Sequence, residues 1–140
     1  MKVSPHNKPL PEISEFSRPF WEGALHGQLK VQECTECHTR DFLPKPWCVE
    51  CGSRSLIWKT IRGQGEIYSF TVATAVMMNL PGWKEELPLV LGLIDLDEGP
   101  RLYGQIVGVG AQTLQIGMRV EPVFERISDE AGIVKFRLVA

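Results

Sequence analysis

The chain has 140 residues, of which 44% are hydrophobic and 23% charged, and its formal net charge is −2. This composition is typical of a soluble globular protein with one domain or two small ones, and the nearly balanced charge argues against a chain-wide attraction to nucleic acid or an anionic membrane. No apolar run approaches the roughly 20 residues that span a bilayer, and residues 1–6 lack the apolar core of a signal peptide.

The N-terminal part is predicted to form an arm followed by helical structure. Residues 1–12 contain three prolines and few apolar groups, which indicates an extended segment. Residues 14–26 are predicted to form one or two short helices, because Ser17 can cap a helix and Pro19 in the first turn has no backbone N–H to leave unpaired. Gly27 is a suitable helix end.

Three aromatic residues, Phe16, Phe20 and Trp21, lie in this helical segment. One interpretation is that their rings pack on the protein's own core. The other is that they form a surface for a partner or a ligand, because an arm and helix outside the main domains have little core to join. The sequence leaves both interpretations open.

All four cysteines of the chain lie within 18 positions, as two Cys-x-x-Cys pairs separated by ten residues: Cys34, Cys37, Cys48 and Cys51. Two such turns facing each other form a tetrahedral four-sulfur site, which Zn²⁺ favours. Four thiolates fill the coordination shell, so we expect a structural zinc and not a catalytic one. Iron is chemically allowed, but nothing in the sequence indicates an electron-transfer partner. Disulfides are disfavoured, because the sequence shows no secretory signal. Since the thiols are expected to stay reduced and bind a metal, we predict a cytoplasmic location.

The cysteines belong to a predicted rubredoxin-like zinc ribbon at residues 28–62, which carries six basic and four acidic groups. Its predicted strands are residues 29–32 and 56–58, and residues 42–44 lead back toward the second cysteine pair. Trp47 and Trp58 are expected to pack its small core. His38 directly follows Cys37 and is interpreted as a surface residue, not a fifth ligand. It occupies the position at which Gly52 follows the second pair, where a positive φ is wanted.

Residues 63–140 are rich in β-forming residues and carry six basic and ten acidic groups. Five strands are predicted, with a connector at 108–117 that has a short helical turn; they are residues 65–76, 87–96, 101–107, 119–127 and 133–139. This pattern predicts a five-stranded OB-fold barrel, with an SH3-like barrel as the alternative. The first strand is long enough to bend, at Gly65 or near Ala73. The predicted protein is therefore mainly β, with an arm and helix at residues 1–27, the ribbon at 28–62 and the barrel at 63–140.

Several short motifs, taken together, resemble one family. They are PFWEGA at 19–24, the two cysteine pairs, CGS at 51–53 with Trp58 following, GQGEIYSFTV at 63–72, LDEGPRL at 96–102 and IGMRVE at 116–121. The chain resembles the acyl-CoA-associated zinc-ribbon/OB-fold proteins, a domain of unknown function whose genes accompany thiolases. The resemblance runs from about residue 15 to the end. His38 departs from it, because glycine is usual there.

The resemblance implies a non-catalytic scaffold or accessory subunit. In archaeal members such a subunit bridges acetoacetyl-CoA thiolase and hydroxymethylglutaryl-CoA synthase, and in others it docks an aldolase or hydratase that acts on acyl-CoA. It also implies that the chain helps to cover a CoA slot. A CoA ligand needs cations for its phosphates and apolar walls for its other parts, and the candidates are Phe20, Trp21, Lys59, Arg62 and Arg101.

Two other functions remain as alternatives. Zinc ribbons and OB barrels also occur in nucleic-acid-binding proteins, but the barrel is acidic, and Tyr68, Phe70, Tyr103, Phe124 and Phe136 are few enough to be core. An independent enzyme is disfavoured, because the sequence has no nucleophile–base arrangement and no phosphate loop. The carboxylates Asp95, Asp97 and Glu98 are explained by a turn. We therefore predict no catalytic residues, no membrane association and no nucleic-acid partner.

Overall fold

The computed structural model describes residues 8–75, 80, 82–110 and 113–139. Its helix and strands are α1 Arg18–Leu25, β1 Leu29–Cys34, β2 Arg40–Asp41, β3 Leu56–Ile61, β4 Gly65–Ala73, β5 Leu89–Leu96, β6 Arg101–Gln105, β7 Arg119–Arg126 and β8 Gly132–Leu138, with a 3-10 helix at Lys84–Glu86. The protein is mainly β, as predicted. Among the described residues, no helix has the length and apolar character needed to cross a bilayer.

The N-terminal helical segment contains one α-helix, α1, with Pro19 in its first turn. Ser17 precedes the helix, but its side chain makes no capping hydrogen bond, so the predicted cap is wrong. Its hydroxyl instead accepts a hydrogen bond from the Ser14 backbone N–H at 3.0 Å. Gly27 ends the helix as predicted, with φ of 73°. Helix α1 packs against β1, β7 and β8.

Three antiparallel strands in the order β2–β1–β3 form the ribbon sheet. The strand β2, which pairs with β1, was not predicted from the sequence. Trp47 is 50% exposed, so the prediction that it packs the ribbon core is wrong. Trp58, in contrast, is partly buried and packs against the main core.

Five antiparallel strands form the second sheet, in the order β6–β5–β4–β7–β8. A parallel bridge between Ile106 and Phe136 joins its two ends, and the Val107 N–H donates to the Phe136 carbonyl at 2.8 Å. This order, with the third and fifth barrel strands parallel, is the OB arrangement. It excludes the SH3-like alternative.

The first barrel strand, β4, bends at a β-bulge. The register with β5 shifts between Ile67 and Ser69, which places the extra residue at Tyr68 and not at Gly65 or Ala73. Gly65 has another role, because a Cβ there would lie 2.2 Å from the Asp95 carbonyl oxygen. The strand ends at Ala73, and Thr74 and Ala75 lie beyond it, so the predicted continuation toward Val76 is wrong. Val76 itself lies outside the described residues.

One hydrophobic core extends across the barrel, the ribbon and the helix. Its buried members are Phe20, Leu29, Ile67, Val90, Ile94, Leu96, Leu102, Ile106, Leu114, Val120 and Phe136. Phe136 is fully buried, and a Cβ on Gly104 would lie 2.6 Å from its ring. Because Phe20 and Leu29 also belong to this core, the helix and the ribbon are packed on the barrel. The division at residues 27 and 62 stays a prediction.

Candidate metal centre and partner surface

Two tight turns of the same shape carry the four cysteines. The N–H of the residue after each pair bonds back to the first cysteine: His38 N–H to the Cys34 carbonyl and Gly52 N–H to the Cys48 carbonyl, both at 2.9 Å. Both residues have a positive φ, 63° at His38 and 76° at Gly52. His38 therefore adopts the left-handed conformation that glycine usually takes, and the departure from the family pattern leaves the turn intact.

The four sulfur atoms converge on one point. Their ligand atoms all lie within 4.8 Å of one another, with 3.6 Å between the Sγ atoms of Cys34 and Cys51 and 3.5 Å between those of Cys37 and Cys48. A tetrahedral zinc with Zn–S bonds of about 2.3 Å separates its sulfurs by about 3.8 Å. The four cysteines are free thiols, not disulfides. The donor set and its spacing therefore fit zinc.

The crowding of the thiols gives them very different proton affinities. The Thr39 hydroxyl, 3.2 Å from Cys37 Sγ, and the Thr39 backbone lower the pKa of Cys37 to about 6. A backbone hydrogen bond from Ser53 lowers the pKa of Cys51, but the neighbouring thiols and burial outweigh it and raise that pKa to about 12. A fourfold thiolate at this point therefore needs a divalent cation to balance its charge.

The metal would be held by cysteines alone. The metal-ligating group among the described residues contains the four cysteines and no histidine, and His38 is exposed. Cys34 and Cys48 are buried, whereas Cys37 and Cys51 lie at the surface. A bound zinc supplies four fixed bonds and no open coordination position, so its role is to hold the ribbon together.

The two predicted apolar ligand walls have different environments. Phe20 is 8% exposed and packs edge-to-face against Trp21 at 5.2 Å and Phe42 at 5.3 Å between ring centroids. It belongs to the core, so its ring is not available as a ligand wall. Trp21 is half-buried, and its Nε1 atom is buried without a hydrogen-bond partner among the described residues. Phe16 is 55% exposed.

The three predicted phosphate ligands each lie beside a carboxylate. Lys59 Nζ is 3.9 Å from a Glu33 carboxylate oxygen. Arg101 makes a bidentate contact with Asp95, in which Nε is 2.5 Å from Oδ1 and Nη2 is 3.2 Å from Oδ2. Arg62 helps to lower the pKa of Asp97, although Arg119 is the main cause. An incoming phosphate would compete with these acids, and a role for the three cations in CoA binding stays a prediction.

The three neighbouring carboxylates at the end of β5 and in the turn that follows it all have structural partners. Asp95 pairs with Arg101, and Asp97 pairs with Arg119 through contacts of 2.8 and 2.5 Å. Glu98 Oε2 accepts a hydrogen bond from the backbone N–H of Arg62 at 2.9 Å. This contact ties the barrel to the end of the ribbon, and it was missed at the level of sequence. Its partners are 36 residues apart, so no local pattern could reveal it.

We expect the Asp97–Arg119 pair to stabilise the fold only where Asp97 is ionised. Arg119 lowers the pKa of Asp97 in the folded state, so the stabilisation is present above the unfolded pKa of about 3.9 and is lost as the pH falls through the folded value. Urea unfolding should show Asp97→Asn less stable than wild type at pH 7, with the difference vanishing near pH 2. Asp129→Asn, which removes a more exposed ion pair, should have a smaller effect. A difference that is constant with pH would contradict this account.

The outer face of β4, β5 and β6 carries exposed apolar side chains that were predicted to belong to the core. Tyr103 is 79% exposed and Tyr68 49% exposed, so their assignment as core is wrong, whereas that of Phe136 is confirmed. The alternation along β6 could have revealed this. Leu102 and Gly104 face the interior, so Tyr103 between them must face outward.

Comparison with known proteins gives the same two parts in the same order. A family model described as the rubredoxin-like zinc ribbon domain of ChsH2 matches residues 21–56, and one described as the C-terminal OB-fold domain of ChsH2 matches residues 58–125. The chain is 35% identical over 115 residues to a "Probable enoyl-CoA hydratase alpha subunit" of Thermomonospora curvata. That match covers 81% of this chain but 34% of the relative, so the chain spans about a third of that relative's length.

Two other relatives match almost end to end. The chain is 32% identical over 132 residues to a DUF35 domain-containing scaffold protein of Pyrococcus furiosus, covering 92% of this chain and 90% of that protein. A solved structure described as an Ltp2-ChsH2(DUF35) aldolase has a TM-score of 0.80 and 30% identity, over 92% of this chain and 98% of that chain. The family resemblance read from the motifs is therefore confirmed, and the chain belongs to the DUF35 family of zinc-ribbon/OB-fold proteins.

Proposed function

We propose that the chain is a non-catalytic accessory subunit that docks on an enzyme acting on acyl-CoA thioesters. The observation that carries the proposal is the nearly full-length match to a DUF35 scaffold protein, 32% identical with 90% of that protein covered. The chemistry of the chain supports it. The metal site is closed by four cysteines, and Asp95 in β5 and Asp97 in the following turn are both engaged in ion pairs.

The proposed partner is a thiolase-type enzyme. Support for an enzyme partner comes from relatives whose descriptions name enzyme subunits or an aldolase. Two finer parts of the proposal rest on the motif resemblance. They are that the partner is a thiolase and that the chain bridges acetoacetyl-CoA thiolase and hydroxymethylglutaryl-CoA synthase. Shared cover of a CoA slot belongs to the same proposal, with Trp21, Lys59, Arg62 and Arg101 as the remaining candidate contacts.

Affinity purification of the tagged chain from its native host, followed by mass spectrometry, tests the proposal. We expect near-stoichiometric recovery of a thiolase, synthase, aldolase or hydratase that acts on acyl-CoA. The chain alone should not turn over an acyl-CoA. Recovery of no such enzyme at micromolar concentration, or turnover by the chain alone that is lost in Asp97→Asn, would overturn the proposal.

Nucleic-acid binding is the second candidate, because OB barrels bind oligonucleotides on the face formed here by β5 and β6. Two exposed tyrosines on that side, Tyr68 and Tyr103, could stack on bases. The charges on the same face oppose it. Arg101 is already paired with Asp95 and Arg119 with Asp97, and the exposed Glu66 lies opposite Asp95 and Arg119, so acids outnumber the cations in this row. Salt-dependent binding of a single-stranded oligonucleotide would favour this candidate.

A further inference from the structure

The outer face of the barrel strands β4, β5 and β6 contains an apolar depression. Its volume is about 270 Å³, and it is lined by Ser69, Phe70, Thr71, Leu91, Gly92, Leu93 and Tyr103. We use the name barrel face for four residues of this lining, Ser69, Leu91, Leu93 and Tyr103, together with the neighbouring exposed Tyr68. Tyr103 is 79% and Leu91 40% exposed. These side chains leave apolar surface in water without contributing to the buried core.

The barrel face is a consequence of strand alternation. Leu93 lies opposite both Ser69 and Tyr103 in the sheet register, which puts the three in one row across the strands. The next residues along β5 and β6, Ile94 and Leu102, face the filled interior. The core therefore does not need the outward row, and a soluble protein would normally place polar residues there.

A rigid hydrogen-bond donor lies at the edge of the barrel face. The guanidinium of Arg101 lies 3.6 Å from the ring centroid of Tyr68, and its Nε and Nη2 atoms bond to Asp95. The guanidinium has five N–H groups, and two of them bond to Asp95, so others remain to donate outward. An arginine fixed by an aromatic ring and a carboxylate loses little entropy when it binds.

The size of the depression favours a protein side chain over a small molecule. Pockets that bury a drug-sized ligand have volumes of about 300–1,000 Å³, and coenzyme A is larger still. A depression of about 270 Å³ seats one or two side chains. By comparison, the depression lined by the exposed ribbon residue Trp47 measures only about 10 Å³.

The charges around the barrel face indicate what the partner must present. Arg101 is balanced by Asp95 and Arg119 by Asp97, and the exposed Glu66 lies opposite both Asp95 and Arg119 in the register. Three acids and two arginines leave these five groups with a net charge of −1. A partner of complementary character offers an apolar side chain for the depression, a carbonyl acceptor for Arg101 and a basic side chain near Glu66.

We infer that the barrel face is the docking surface for the enzyme partner, with Tyr103 as its most exposed member. This inference rests on the proposed function. A large exposed aromatic side chain beside apolar residues and a polar rim is the kind of residue that dominates binding energy at protein interfaces. A different chain is favoured over a second copy, because a solved relative is described by two protein names, Ltp2 and ChsH2.

Affinity measurements with the enzyme recovered in the purification above test the inference. By isothermal calorimetry we expect Tyr103→Asp and Tyr103→Ala to weaken binding by at least about 30-fold, and Glu66→Lys to weaken it by a smaller factor. Leu43→Asp is the matched control, because Leu43 is an apolar residue of the ribbon that is 59% exposed. It should change the affinity by less than about twofold. Zinc content and thermal unfolding of each variant check the fold.

The outcomes separate this inference from the proposed function. If the wild-type chain recovers no acyl-CoA enzyme, both fail. If it recovers one and the Tyr103 variants bind as tightly as wild type, only the docking surface is wrong. Loss of binding in Leu43→Asp alone would move the contact to the ribbon. Self-association that is abolished by Tyr103→Asp, with enzyme binding unchanged, would assign the barrel face to a second copy and overturn the inference.

Discussion

Replacing Cys34 with Ser is expected to abolish zinc binding and unfold the ribbon sheet. Cys34 is fully buried, and its Sγ lies 3.6 Å from that of Cys51, so a serine hydroxyl there would leave an incomplete ligand set. Structural zinc binding contributes about 10–16 kcal/mol in small finger domains, which matches or exceeds the whole stability of a typical domain, about 5–15 kcal/mol. A ribbon of three short strands cannot compensate for that loss.

Metal analysis and hydrogen exchange measure this effect. Zinc should fall from about one per chain, the capacity of the four-cysteine group, to near zero. Amide exchange should become fast in β1 and β3 and remain slower in β5, which lies in the barrel. His38→Asn is the matched control, since it changes the residue next to Cys37 and keeps a side chain that tolerates a positive φ. Zinc retained by Cys34→Ser, or lost by His38→Asn, would contradict the assignment of the ligands.

Gly132→Ala is expected to separate the N-terminal helix from the barrel. A Cβ on Gly132 would lie 2.5 Å from the Ala24 carbonyl carbon and 2.5 Å from the Leu25 nitrogen. Normal contact needs about 3.5 Å, so the helix would have to move by about 1 Å. The neighbouring atoms are backbone and cannot rotate away. We therefore expect a cost near the upper end of the overpacking range, about 3 kcal/mol.

Thermal unfolding measures the effect of Gly132→Ala. A loss of about 3 kcal/mol lowers Tm by roughly 6–12 °C in a chain of this size. Gly27→Ala is the matched control, because Gly27 has φ of +73° and no atom lies within 4 Å of the position that a Cβ would take there. It should cost only the left-handed strain, about 1 kcal/mol. A Tm for Gly132→Ala equal to or above that of Gly27→Ala would show that the close approach does not exist.

Local patterns predicted the metal centre and the order of the parts. Two Cys-x-x-Cys pairs specify the ligands by their spacing alone, and the positive φ at His38 follows from its equivalence to Gly52. The five barrel strands were found because alternation is also a local signal, and their observed ends differ from the predicted ones by three residues at most. Gly27 marked the helix end correctly for the same reason.

Contacts between distant residues were beyond local patterns. Trp47 was expected in the ribbon core because it is large and apolar, but it is 50% exposed, and the main core is completed instead by Phe20 and Leu29. The bulge at Tyr68 depends on how β4 pairs with β5. No local pattern shows that position 132 must be glycine, because the need for a residue without a Cβ arises from the helix backbone packed against it.

The zinc site and the barrel face have separate roles in the protein. The four cysteines hold the ribbon, and the ribbon residue Leu29 completes the core of the barrel. The barrel face lies outside that core and leaves Tyr103 free to contact a partner. Loss of zinc should therefore impair docking indirectly, through the fold, whereas Tyr103→Asp should impair docking and leave the zinc in place.

Native mass spectrometry of the complex isolated from the host, at low and at high salt, tests the central claim most directly. We expect an assembly that contains an acyl-CoA enzyme, this chain and one zinc for each copy of the chain, and that persists at high salt because its contact is mainly apolar. A chain that appears alone, or bound to RNA that dissociates as the salt concentration rises, would contradict the claim.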